Sequence, residues 1–177
     1  MSQTVSLALL ALLSATSASA APAPTVLAVS GDLPRIGALS MAELEALGPT
    51  SSTWTAHGEK HEVQGVALEK VLSHFGFDPG PMGKDVPRRE KRRGWRMVVI
   101  ASAPDGFQAV LSCAEIFESM GATRALVIWK IDGKPLPADR GPLRLAVLTD
   151  KEPSRSIYDL RTVRVMDLRD AAVPARR

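Results

Sequence analysis

The chain has 177 residues, is 45% apolar and 23% charged, and carries a net charge of +3. These fractions are ordinary for a globular protein, and the length favours one domain whose core needs neither disulfides nor a structural metal. The single cysteine, Cys113, excludes an internal disulfide framework, and so small a positive balance does not by itself imply nucleic acid.

The chain opens on Val5 to Leu13, an apolar run long enough for a signal-peptide core and too short to span a bilayer. Ala18-Ser19-Ala20 then supplies small residues for cleavage after Ala20, and Ala21-Pro22-Ala23-Pro24 ends the segment abruptly. The preceding M-S-Q-T carries no Lys or Arg, a departure from the usual leader. The expected organisation is a signal peptide over 1–20, a single domain over 21–170 and a basic tail over 171–177. The mature chain has no transmembrane segment, and its expected location is the periplasm.

Val26 to Val29 reads as a short strand ending at Ser30-Gly31-Asp32. Ser40 and Glu43 form a capping box that opens a helix to about Leu47, stopped by Gly48-Pro49. Thr53–Ala56 and Glu62–Gln64 flank the turn His57-Gly58-Glu59-Lys60-His61 and predict a hairpin. Leu68, Val71, Leu72 and Phe75 fall on one face of a helix that ends at Gly76.

Residues 78–96 change character: prolines and glycines break regular structure, and Lys84 to Arg96 is strongly basic, which reads as an exposed loop. Beyond it lie four apolar, β-branched runs, Met97–Ile100, Ala109–Leu111, Ala125–Ile131 and Leu143–Leu148. Asp105-Gly106 and Asp132-Gly133 are hairpin signals, because both residue types tolerate the positive φ that primed turns require. Ser112-Cys113-Ala114-Glu115 is a second capping box, predicting a helix through Met120 with Gly121 as its left-handed end. Ser156–Leu160 reads as one helical turn and Thr162–Met166 as a half-buried strand.

Several of these pieces, in this order, resemble the oxidoreductase molybdopterin-binding domain, the sulfite-oxidase-like fold, in its short exported bacterial form. They are Gly65-Val66-Ala67-Leu68 with Val71-Leu72 and Gly76, Asp105-Gly106-Phe107, Ser112 to Ile116, Asp132-Gly133-Lys134-Pro135-Leu136, Gly141-Pro142-Leu143-Arg144-Leu145, and Arg155-Ser156-Ile157. The resemblance spans about Val26 to Leu168. It implies an α+β fold with a curved, mostly antiparallel sheet packed by short helices. It also implies molybdopterin as cofactor, with Asp105, Arg144 and Arg155 as cofactor-binding candidates. In active members a cysteine thiolate upstream of the Gly-Val-x-Leu element binds molybdenum. Here that region, Thr50 to Gln64, has no cysteine, and Cys113 does not match the ligand position.

Other side chains admit plainer readings. Cys113 suits a small buried residue better than a reactive thiol. His57 and His61 with Glu59 and Glu62 lie in a turn, not on one helix face, so no metal is assigned. Arg144 suits either a phosphate or a carboxylate on the sheet edge. The run Lys84 to Arg96 reads by default as a solvated loop; the alternative is a surface for an acidic protein partner or an anionic membrane, and export argues against nucleic acid. Two functions follow. One is a non-redox periplasmic binding or interaction module, with molybdopterin conceivable by resemblance but not expected to be bound. The other is an active molybdopterin-dependent oxidoreductase of a small substrate, with an unusual or partner-supplied metal ligand.

Overall fold

The computed structural model describes residues 25–80, 95–121 and 123–170. The expected signal peptide, most of the basic run and the C-terminal tail lie outside the described residues. In chain order the elements are β1 (Thr25–Gly31), β2 (Gly37–Ser40), α1 (Met41–Ala46), β3 (Thr50–Ala56), β4 (Glu59–Ala67), α2 (Leu68–His74), β5 (Met97–Ser102), β6 (Gln108–Ser112), α3 (Cys113–Ile116), β7 (Ala125–Ile131), β8 (Lys134–Pro135), β9 (Arg144–Val147) and β10 (Thr162–Asp167). Strands dominate and the helices are short, so the class is α+β, as expected.

The strands divide between two sheets. The first runs β2-β1-β10-β5-β6, and the second runs β3-β4-β7-β8, with β9 also on β7. All pairings are antiparallel except β1 with β10, where the first described strand lies parallel to the last. Period-two alternation sets which face each strand buries. Met97, Val99 and Ala101 of β5 and Ala109 and Leu111 of β6 are buried, while their neighbours are not. The main core joins these residues to Val127, Leu145 and Val147 of the second sheet and to Leu68, Val71 and Leu72 of α2. On the opposite face of the second sheet, Trp54, Val63, Leu126, Ile128 and Ala146 form a smaller cluster. The candidate site sits beside that cluster.

Both capping boxes form. The Ser40 N–H donates to Glu43 Oε2 at 2.7 Å, and the Ser112 N–H donates to Glu115 Oε1 at 2.9 Å. The Asp132-Gly133 turn takes its positive φ values, 51° and 74°. Two expectations are corrected. The helix after Ser112 closes at Ile116 instead of Met120, because Phe117 turns extended and buries its ring 5.0 Å from that of Phe77. Gly121 is then not a left-handed cap. Its bare Cα lets the chain pass against the α3 backbone, where a Cβ would lie 2.6 Å from the carbonyl oxygens of Ala114 and Glu115. The helical turn expected at Ser156–Leu160 is a 3-10 turn at Pro153–Arg155, and Ile157 instead bridges to Leu145.

Gly65 holds the second sheet together. It sits at a register shift between β4 and β7, and a Cβ there would lie 2.2 Å from the Val127 carbonyl oxygen and 2.6 Å from the Ile128 Cα. Both obstacles are backbone and cannot rotate away. Gly65→Ala is therefore expected to lower stability by roughly 3 kcal/mol through forced separation of the two strands, read as a drop in the urea midpoint at unchanged slope.

Candidate functional site

Arg144 opens β9 and pairs with Ile128 of β7. Strand alternation sends Leu145 and Val147 into the main core and Arg144 and Ala146 to the other face. There the guanidinium carbon lies 4.5 Å from the centroid of the Trp54 ring and 3.6 Å from that of Tyr158. Trp54 arrives on β3, directly across from His61 of β4. Tyr158 arrives because the Leu145–Ile157 bridge holds the next residue beside Arg144. Arg140 approaches the same Tyr158 ring at 4.6 Å.

Arg144 is only 6% exposed, and its Nε has no hydrogen-bond partner; neither has the buried Trp54 Nε1. Burial pushes the Arg144 pKa down, Tyr158 acts against that shift and Arg140 adds to it. Arg144 lines a cleft of about 500 Å³ whose walls include Ile131, Leu136, Lys134, Arg140 and Tyr158. Asp139 is the one carboxylate among the lining residues, against three cations. Tyr158 also accepts a hydrogen bond from the Arg144 side chain, and a nearly buried guanidinium beside a cleft whose cations outnumber its carboxylate suits an anion.

The other expected site residues lie apart from this arrangement. Arg155 donates from Nε and Nη2 to the two oxygens of Asp150, at 2.9 and 2.6 Å, and from Nη1 to Glu115 Oε1 at 2.9 Å. These carboxylates raise its pKa and occupy its fork. Asp105 is exposed in the β5–β6 turn, where its Oδ1 accepts the Phe107 N–H at 2.9 Å. His61 Nδ1 meets Asp132 Oδ2 at 2.8 Å, and His57 is exposed in its turn. Among the described residues, no group of three or more His, Cys, Asp or Glu side chains could hold a metal ion. Sequence reasoning did not single out Lys134, Arg140 or Tyr158. Their signal was present as two cations and an aromatic flanking Gly141-Pro142-Leu143-Arg144 and the bridge after it.

Whether these residues fit molybdopterin divides in two. The Arg144 fork suits a phosphate, but the metal needs a soft thiolate. The β3–β4 hairpin offers Trp54, His57 and His61 and no sulfur. Cys113 is wholly buried, and burial pushes its thiol up to about 12, so its thiolate is strongly disfavoured. The donor set does not fit the molybdenum.

Of the basic run, Trp95 and Arg96 are described, and Trp95 is exposed. Arg96 Nε donates to Asp167 Oδ1 at 2.7 Å, and Arg169 Nη2 donates to Asp167 Oδ2 at 2.6 Å. These two guanidinium groups hold the Asp167 carboxyl far below the usual carboxylate range.

Two predictions follow from these environments. Cys113 resists alkylation in the folded protein at pH 8 and reacts fully once unfolded; rapid native labelling by iodoacetamide would contradict its burial. A depressed carboxyl stabilises the fold above its unfolded pKa, and that contribution is lost as pH falls through the folded value. Asp167→Asn is thus expected to cost about 1–2 kcal/mol near neutrality, with the gap to wild type closing in strong acid, as denaturation across pH would show.

No protein-family model matches the chain, and no curated protein matches it. Among solved structures, the crystal structure of the sulfane dehydrogenase SoxCD from Paracoccus pantotrophus matches over 80% of this chain, at a TM-score of 0.60 and 14% identity. The chain spans 38% of the length of that protein. At this identity the likeness shows the fold alone, and that fold is at most a distant molybdopterin-oxidoreductase-like one.

Proposed function

We propose that this chain is an exported, non-redox binding module on a molybdopterin-oxidoreductase-like fold, working in the periplasm and taking a small anion at Arg144. One observation carries the reading: a guanidinium that is almost wholly buried between Trp54 and Tyr158, with its Nε unpaired, on a cleft where cations outnumber carboxylates. The absence of a thiolate near the β3–β4 hairpin and the desolvation of Cys113 support the non-redox part. The basic run Lys84 to Arg96 belongs to the same reading as the contact for an acidic protein partner.

The second reading is an active molybdopterin-dependent oxidoreductase of a small substrate, with an unusual or partner-supplied ligand. The likeness in fold to a sulfane dehydrogenase favours it.

The anion site is tested by titrating the purified chain with inorganic phosphate, sulfate and phenyl phosphate, following tryptophan fluorescence. Trp54 lies against Arg144, so occupancy is expected to change its emission. Arg144→Ala is expected to weaken binding by roughly tenfold or more. Arg144→Lys keeps the charge but loses the planar fork, and should restore binding only in part. Wild-type protein that binds none of the three anions would contradict the site.

A further inference from the structure

The first sheet ends at β6, and among the described residues no strand pairs with its outer side. Strands in this position normally carry a charge, a proline or a bulge that discourages further pairing. β6 is Gln108-Ala109-Val110-Leu111-Ser112, with none of these devices. Its register against β5 is unbroken, Ser102 to Gln108 through Val98 to Ser112.

The ladder shows which backbone groups remain open. The Ala103 N–H donates to the Phe107 carbonyl at 3.0 Å, so by alternation the hydrogen-bonded pairs of β6 with β5 fall at 109 and 111. The N–H and C=O groups of Gln108 and Val110 therefore point outward. The Ser112 N–H also points outward but is taken by Glu115 Oε1, the atom that Arg155 also holds. The open stretch is short and self-complementary. Two large apolar side chains stand there unshielded, Val110 at 54% exposure and Phe107 at 47%.

We propose that two copies of this chain pair through β6, antiparallel, about a two-fold axis at Ala109. In that register Gln108 of one copy faces Val110 of the other. The two positions exchange N–H to C=O bonds, and symmetry makes four such bonds without drawing on the Ser112 N–H. Phe107 then lies across from Leu111 of the second copy and extends the inner apolar row of the sheet. The two five-stranded sheets become one of ten strands, and the interface is isologous, the same patch serving both sides. A contact this small gives a reversible dimer, on the order of 100 μM in dissociation constant. The pairing is independent of what binds at Arg144.

Sedimentation equilibrium of the purified chain tests it, together with amide exchange at two protein concentrations. Wild type is expected to dimerise reversibly. Val110→Lys places a charge on the edge without touching the β5 ladder, so it is expected to raise the dissociation constant at least roughly tenfold and leave the melting temperature nearly unchanged. The Gln108 and Val110 amides of wild type should exchange more slowly in the concentrated sample than in the dilute one. That last comparison needs no variant, so it decides the matter even if Val110→Lys folds poorly. A monomer up to about 1 mM, a dimer that a folded Val110→Lys leaves intact, or exchange at these two amides that ignores concentration would each overturn the pairing.

Discussion

One buried guanidinium shapes the face on which the proposed anion site lies. Taking a cation out of water costs several kcal/mol even after relaxation, and Arg144 is 6% exposed. Two aromatic faces offset part of that cost, each worth up to about 2 kcal/mol when desolvated. The unpaired Nε adds a further penalty of about 1–3 kcal/mol. The anion proposed for this site would offset such a cost on a face where the neighbouring strand position, Ala146, is apolar. Trp54 and Tyr158 flank the guanidinium, and Arg140 and Lys134 line the cleft beside it.

The same face carries the difference between a cofactor enzyme and a binding module. A fork of guanidinium donors suits any phosphate, whether in a pterin or in another anion. A molybdenum centre needs its thiolate as well, and the hairpin that resemblance marks for it presents Trp54 against Arg144 in its place. Fold alone does not choose between these chemistries, since one architecture carries many functions. The proposed non-redox reading rests on the site instead, because ligand softness is a property of particular atoms.

What the sequence made legible was local. Asp132-Gly133, the boxes at Ser40–Glu43 and Ser112–Glu115, and the apolar face of α2 all state their structure within a few residues, and each forms as read. What escaped was set by distant partners. The helix after Ser112 stops early because Phe117 answers to Phe77, forty positions back. Arg155, a candidate cofactor ligand, meets carboxylates five and forty residues away. Arg144 was visible as a candidate, but Tyr158 became its partner only through a bridge between Leu145 and Ile157 that no local pattern announces. The division of the strands into two sheets is likewise a matter of which strand meets which, and alternation within a strand does not encode it.

The most direct test of the non-redox reading is the molybdenum and pterin content of this protein, purified from the periplasm of a host that makes the molybdenum cofactor. Elemental mass spectrometry and pterin fluorescence after oxidation would be read on one sample. The account predicts neither metal nor pterin above background. Near-stoichiometric molybdenum with pterin would contradict it, and would require a metal ligand other than the thiolate this hairpin lacks.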